Sequence, residues 1–536
     1  MAYDYVIVGA GSAGCVLANR LSADPSKNVL LLEAGGEDRN PWIHVPVGYF
    51  KTLHNPKTDW CFKADPDPGL NGRSLDWPRG KVLGGSSAIN GLLYIRGQKE
   101  DYDTWRQMGN DGWSYDDVLP YFRRAEDQER GADAFHGEGG PLAVSDMRAQ
   151  RDVCEALIAA AEELGIPRND DFNGALQEGA GYFQLTARNG RRCSTATAYL
   201  KPVRSRRNLE VVTGALAERL LFDEAGPITA TGIAYSVGGE RRQATLRGGG
   251  EIILSAGAIG SPQLLQLSGI GPGSLLSDLG IAVRHELPGV GENLQDHLQV
   301  RSVYEVNVPT LNDEINNPVR RAAIGLRYIL TRRGPMAMGA SQVCIFCKTR
   351  PELATPDIQF HFQPLSADKP GLKMHPFSGI TMSVCQLRPE SRGRIAIRSP
   401  DPAAHPSIQP NYLSTAADRQ TVIDGLKVTR RLVATRAMSG FVRREHLPGP
   451  DAQTDEELLQ AARNISQTIY HPTSSCRMGR DPMAVVDNGF RVHGVGGLRV
   501  VDASAMPAIT SGNTNAPTIM MAEKASDLIL GRAPQG

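Results

Sequence analysis

Tyr3 to Val8 (YDYVIV) is a short, β-branched apolar run, and the Gly9-Ala-Gly11-Ser-Ala-Gly14 that follows carries no apolar period at all. Apolar side chains return at Cys15, Val16, Leu17, Ala18 and Leu21 on helical spacing. Val29 to Glu33 (VLLLE) is then unbroken, as a strand buried on both faces would be. The pattern predicts strand, glycine turn, helix and strand, a compact βαβ unit.

Three later runs read as further strands of the same sheet: Asn208 to Thr213, Glu251 to Ala256 and Leu498 to Val501. The last two are each followed by small residues and then a helical pattern. The first domain is therefore expected to be assembled from residues 1–155, 190–305 and 466–536. Residues 156–189 and 306–465 are expected to form a second lobe. There Asp357 to Phe362 (DIQFHF) and Arg394 to Ile397 alternate apolar and polar, the signature of an antiparallel sheet with one face exposed or turned to a cavity.

The glycine turn has specific physical work. Gly9 permits the tight exit from the strand, Gly11 lets backbone approach a pyrophosphate, and Gly14 allows close helix–sheet packing. The helix start offers unpaired N–H groups and a positive dipole end to phosphates. Glu33 ends the second strand, where a carboxylate can bind ribose hydroxyls and favours FAD or NAD over NADP. The turn alone does not separate FAD from NAD.

Two further segments, Arg79 to Gly97 (RGKVLGGSSAINGLLYIRG) and Gly257 to Gly271 (GAIGSPQLLQLSGIG), are rich in small residues that let backbone amides come close to a flat polar ring and a diphosphate. Together with Gly291-Glu-Asn-Leu-Gln-Asp-His297, Tyr470-His-Pro472 and Leu498 to Pro507, they resemble the signature regions of the glucose–methanol–choline (GMC) oxidoreductases, in the family's order and over essentially the whole chain. Within the family the likeness is to bacterial choline dehydrogenases and to medium-chain or polyethylene-glycol alcohol dehydrogenases. The resemblance implies an α/β fold: a Rossmann-like FAD-binding domain built from discontinuous segments, plus an α+β substrate domain with a mostly antiparallel sheet. It implies FAD, held by Gly9, Gly11, Ser12, Ala13, Gly14, Glu33, Ala34, Arg79, Val82, Gly84, Gly85, Asn90, Gly91, Ala217, Tyr470, Asp502, Ala503 and Thr514. One family variant attaches the flavin through a histidine just before the asparagine matching Asn90. Ile89 stands there, so non-covalent FAD is expected.

Alcohol oxidation needs a base for the hydroxyl proton and a flavin placed to take the hydride. A neutral imidazole suits the base, its ordinary pKa lying near working pH. Among eleven histidines, His471 matches the family's base, and its partner position falls on Asn513. An asparagine there can bond the substrate oxygen and hold an alkoxide; SGNTNAP is equally good turn chemistry leading into a helix with Pro517 in its first turn. The resemblance also carries His297, expected as structural support near the flavin. His361 and His493 have no motif behind them and are assigned to packing or surface.

Composition narrows the rest. Lys+Arg and Asp+Glu number 58 each, which argues against a nucleic-acid partner. Eight scattered cysteines suit reduced thiols, and the lone Cys344/Cys347 pair lies in a strand pattern with no accompanying ligands, so no metal is expected. No Ser-His-Asp order with a nucleophile elbow favours a hydrolase. No charged or apolar leader precedes Tyr3 and no run is apolar enough to span a bilayer. The expectation is a cytoplasmic protein, with peripheral attachment to the inner membrane left open. The glutamate that choline-type members place against a quaternary ammonium aligns with Gln342, which favours a neutral primary alcohol passing its electrons to a quinone-like acceptor. Two alternatives stand beside this: an oxidase releasing peroxide, and the non-redox hydroxynitrile lyase that shares the fold.

Overall fold

The computed structural model describes residues 2–223, 225–368 and 373–533. Its first sheet runs in the order 209–213, 29–33, 2–8, 240–254, 229–237, 215–223, and Leu498–Val500 pairs alongside the end of 240–254. The strand Ala2–Val8 lies parallel to Val29–Glu33, with Tyr5 opposite Val29 and Val8 opposite Leu32. On its other side Val6 to Val8 pair with Ile252 to Leu254. Val29–Glu33 and the Tyr5–Val8 end of the first strand are buried, which is why VLLL and YVIV read as unbroken apolar runs.

Glu251 to Leu254 proves to be the end of a fifteen-residue strand, Glu240–Leu254. Its start, Glu240 to Thr245 (ERRQAT), forms a largely exposed antiparallel ribbon with Gly232 to Val237 and reads as polar for that reason. The helix Ser12–Leu21 packs on the parallel strands. Against it lies the C-terminal helix Asn515–Leu530, which is buried almost along its length. Arg20 of the first helix meets Glu523 of the second at 2.7 Å.

A second sheet is antiparallel in every pairing: 442–447, 298–306, 379–386, 358–363, 343–347, 179–182, with Gln467–Thr468 also on 298–299. Ile358–Gln363 alternates as expected, with Ile358, Phe360 and Phe362 in the core and His361 and Gln363 turned to a cavity. One side of the sheet is covered by the helices Asp152–Glu163 and Ala416–Val433, and the other is turned toward the first sheet's loops. Arg394–Ala396 lies outside this sheet, pairing only with Ser407–Gln409. Because Leu298–Val306 and Gln467–Thr468 pair in the antiparallel sheet, sheet membership would move two proposed domain boundaries: that at 305/306 to before Leu298, and that at 465/466 to after Thr468.

Cys344 and Cys347 lie in the strand Val343–Cys347 and pack into separate apolar clusters on opposite faces. Among the described residues no cluster of side chains has the makings of a metal site, and no helix is long and apolar enough to cross a membrane.

Candidate active site

The turn after the first strand is held open by what a side chain would hit. A Cβ on Gly9, which sits at φ +99°, would lie 2.5 Å from the Ser255 carbonyl oxygen, and one on Gly14 would lie 1.9 Å from the Gly9 carbonyl oxygen. The helix that follows starts at Ser12 with no side-chain cap, so its first N–H groups are left for whatever enters. Glu33 accepts N–H bonds from Ala10 and Gly35, both at 2.8 Å. Burial raises its carboxyl to a pKa of about 7.

The C-terminal helix is also uncapped at Thr514, and Ser12 Oγ donates to Asn515 Oδ1 at 2.7 Å, tying the two helix starts together. Asp502 accepts from Gly257 N at 2.9 Å and Ser261 Oγ at 2.5 Å, fixing the start of a third helix, Gly257–Leu267. Three helix starts, a strand-end carboxylate and glycines that tolerate no side chain fit a dinucleotide.

These features open on one continuous cavity of about 330 Å³. Of the residues expected at a cofactor, Gly9, Gly11, Ser12, Ala13, Glu33, Ala34, Arg79, Gly85, Asn90, Gly91, Ala217, Tyr470, Asp502, Ala503 and Thr514 line it. Gly14, Val82 and Gly84 stand behind the wall. Gly14 fits the helix onto the turn, Val82 packs with Ile43, Ala88 and Ile89, and Gly84 N bonds Ala10 O at 2.8 Å. Asn90 is oriented by Arg192, whose guanidinium donates to its Oδ1 at 2.6 Å and its carbonyl oxygen at 2.7 Å.

His471 and Asn513 line the same cavity. The loop carrying His471 is anchored by Asp296, which accepts from Thr468 Oγ1 at 2.6 Å, from the Tyr412 hydroxyl, and from His471 N at 2.8 Å. Burial raises Asp296 to about 6. Tyr470 sits at φ +70°, a conformation costly for an aromatic residue, and Arg79 Nη2 holds its carbonyl oxygen at 2.7 Å.

The protonation pattern of the histidines follows from their partners. His297 Nε2 lies 2.9 Å from the Leu387 carbonyl oxygen, which can only accept, so Nε2 carries the proton. Burial lowers His297 to about 4 and His471 well below the ordinary value, so both are neutral. His297 Nδ1 is then an acceptor, and His471 Nδ1, 3.0 Å away, must donate to it. That leaves His471 Nε2 unprotonated on the cavity wall, where it accepts from Asn513 Nδ2 at 3.1 Å. The Asn513 Oδ1 is buried without a partner.

The antiparallel sheet supplies the opposite wall: Gln299 and Arg301 from one strand, His361 and Gln363 from another, with Tyr49 and Trp60 beside them. Two expectations need correction. Gln342 does not line the cavity; it is fully buried behind the sheet, accepting from Cys154 Sγ at 3.0 Å and donating to Ala149 O at 2.8 Å. The argument it gave for an uncharged substrate therefore falls. His361 does pack, stacking on Phe183 with ring centroids 5.2 Å apart, but it also lines the cavity with Nε2 unpaired, a role the expectation did not give it. His493 does pack, bonding Gly479 O at 3.0 Å. Asp296, Gln299 and Arg301 carry no role in the motif, although His297, Gln299 and Arg301 fall on one face by the two-residue period of a strand.

Family profiles described as GMC oxidoreductase match residues 3–299 and 389–522. The chain is 44% identical to an alcohol dehydrogenase [acceptor] of Pseudomonas putida, over 98% of this chain and 96% of that one. It is 45% identical to an oxygen-dependent choline dehydrogenase of Vibrio vulnificus (strain YJ016), over 99% and 95%. Among solved structures, a pyridoxine 4-oxidase from Mesorbium loti superposes with a TM-score of 0.89 at 31% identity, covering 99% of this chain and 100% of the other. A formate oxidase of Aspergillus oryzae RIB40 gives 0.91 at 27% identity, over 99% and 98%.

Proposed function

Because the chain belongs to the GMC oxidoreductase family, whose cofactor is FAD, we propose that it oxidises a primary alcohol to the aldehyde with His471 as the base and passes the electrons to a quinone-like acceptor. The observation that carries this reading is the unprotonated His471 Nε2 beside Asn513 at the cavity wall. His471 Nε2 takes the hydroxyl proton, and its Nδ1–H stays on His297 throughout. Asn513 Nδ2 bonds the substrate oxygen as it loses that proton.

Bound FAD supplies the acceptor for the carbinol hydride. Its ADP half would be held by the Gly9–Gly14 turn and Glu33, and its ring end by Arg79 to Gly91, Asp502, Ala503 and the uncapped helix start at Thr514. The positive end of that helix's dipole would stabilise the negative charge arriving with the hydride. With Ile89 on the wall there is no imidazole for a covalent link at that position, so the cofactor dissociates on denaturation.

The acceptor reading draws on the Pseudomonas putida relative's name. The choline dehydrogenase relatives are named oxygen-dependent, and dioxygen is the second reading. Anaerobic mixing of the FAD-loaded protein with a panel of primary alcohols tests the reaction class. Bleaching of the flavin band is expected; an unbleached flavin with cyanohydrin cleavage would replace oxidation by lyase chemistry. Reoxidation of the bleached protein by a soluble quinone faster than by air decides between the two acceptors.

A further inference from the structure

Arg301 is a cation without a counter-ion. It is 4% exposed, lines the cavity and makes no hydrogen bond or ion pair with any described residue; its Nε is buried and unpaired. Other buried arginines are matched. Arg96 meets Glu126 at 2.5 Å and Arg499 meets Glu251 at 2.8 Å. Arg192, also without an acid, donates to the oxygens of Ile43, Ser87 and Asn90. An unpaired buried guanidinium is costly to fold around, and such a cost persists where something outside the chain completes the pair.

We infer that Arg301 binds a carboxylate at the far end of the alcohol substrate, its planar fork matching the two oxygens. The Gln299 and Gln363 side chains on the same wall offer further donors. Arg301 lies four residues along the strand from His297, the residue that backs His471, so their Cα atoms are about 13 Å apart. On this inference the carboxylate stands apart from the carbinol. That selects an ω-hydroxy carboxylate or a hydroxymethyl-arene carboxylate over a 2-hydroxy acid. The carboxylate makes and breaks no bond; the hydroxyl proton still goes to His471 and the hydride to the cofactor, so the inference rests on the oxidation reading above.

The test compares kcat/KM for an ω-hydroxy acid and its methyl ester in the FAD-loaded protein, the Arg301→Met variant and the Arg301→Lys variant. The expected outcome is an acid-to-ester ratio of about tenfold or more that collapses toward one in Arg301→Met and is partly kept in Arg301→Lys. A wild-type ratio near one, or a ratio unchanged by Arg301→Met, overturns the assignment even if Arg301→Lys does not fold. Binding of a non-oxidisable dicarboxylate, followed by perturbation of the flavin spectrum, decides Arg301 independently. If no alcohol bleaches the flavin, the oxidation reading fails while the dicarboxylate titration still reports on this site.

A separate observation concerns the helix Pro318–Thr331, of which only Tyr328 is buried. Val319 is 76% exposed, Leu326 59%, Ile329 67% and Leu330 73%. At about 100° per residue, Val319, Ala322, Ala323, Leu326 and Leu330 share the side opposite Tyr328. Arg320 and Arg327 border this stripe, and Arg321, Arg332 and Arg333 follow, with no Asp or Glu from Ile315 to Pro351. In a chain of zero net charge this is a local concentration of apolar and cationic surface, the pattern of a helix lying in a lipid interface. We infer that it docks on an anionic lipid surface.

Cosedimentation of the FAD-loaded protein with phosphatidylcholine vesicles, with and without phosphatidylglycerol, tests this. Binding to the anionic vesicles only, weakened by salt and lost in the Leu326→Glu/Leu330→Glu double variant, is expected. Equal absence of binding to both vesicles, or binding the double variant retains, overturns it. So does a dimer that the double variant dissolves while vesicles are ignored.

Discussion

His297 Nδ1 and His471 Nδ1 lie 3.0 Å apart, and that contact, closed at its far end by the Leu387 carbonyl, fixes which nitrogen of His471 is free. His471→Ala should slow flavin reduction by about 10²–10⁴-fold. His297→Ala should cost about tenfold or more by releasing the tautomer. His297→Asn, whose amide oxygen can accept from His471 Nδ1–H, should restore most of the rate. Stopped-flow reduction of the three variants measures this. A merely space-filling His297 would be rescued as well by leucine as by asparagine, and that result would remove its positioning role.

Asn513 presents Nδ2 to His471 and leaves Oδ1 unpaired, so its amide is free to move onto a substrate oxygen. Asn513→Ala is expected to lower the rate of flavin reduction by about 10²-fold with little change in KM. Asn513→Asp should be worse, because a carboxylate beside the forming alkoxide adds like charge. Reduction rates equal to the unaltered protein's would strip Asn513 of the role.

Gly14 and Gly11 separate scaffold from ligand. A Cβ on Gly14 meets the Gly9 carbonyl oxygen at 1.9 Å, whereas one on Gly11 comes no nearer than 3.9 Å to Gly85 Cα. Gly14→Ala should therefore lower the unfolding midpoint of the apoprotein and abolish FAD retention. Gly11→Ala should leave the apoprotein midpoint unchanged and weaken FAD alone. Flavin absorbance after gel filtration, beside apoprotein melting curves, distinguishes them.

The parallel core was legible because its strands are buried on both faces. Val29–Leu32 and Tyr5–Val8 show this in unbroken apolar letters, and the turn between strand and helix can hardly be built without glycine. His471 and Asn513 were legible by likeness alone, since nothing in their spacing brings together residues 42 apart. Gln342 misled because the face a residue presents at a strand's start depends on what packs behind it, here Cys154 of a helix nearly two hundred residues earlier. Arg301 was hidden differently. Its missing partner is a property of every surrounding side chain, which no local pattern records.

Acid stability follows from the buried histidines. Burial lowers His297 to about 4 and His361 to about 3, and holds His471 well below the ordinary value, while the unfolded chain titrates at about 6.5. The unfolded state thus takes up protons first. The histidines' contribution is whole above about pH 6.5 and is lost as pH falls toward their folded values. Asp296 at about 6 and Glu33 at about 7 run the other way, because burial favours their neutral forms: their contribution fades as pH rises through those values. A single pH curve mixes the two, so the informative quantity is a difference. His297 falling from about 6.5 to about 4 corresponds to about 3 kcal/mol. Between about pH 7 and pH 4 the unaltered protein should lose about 3 kcal/mol more than His297→Asn, read from urea unfolding of both FAD-loaded proteins. Parallel curves would mean that His297 is protonated in the folded state, and the neutral tautomer chain from Leu387 to Asn513 would fall with it.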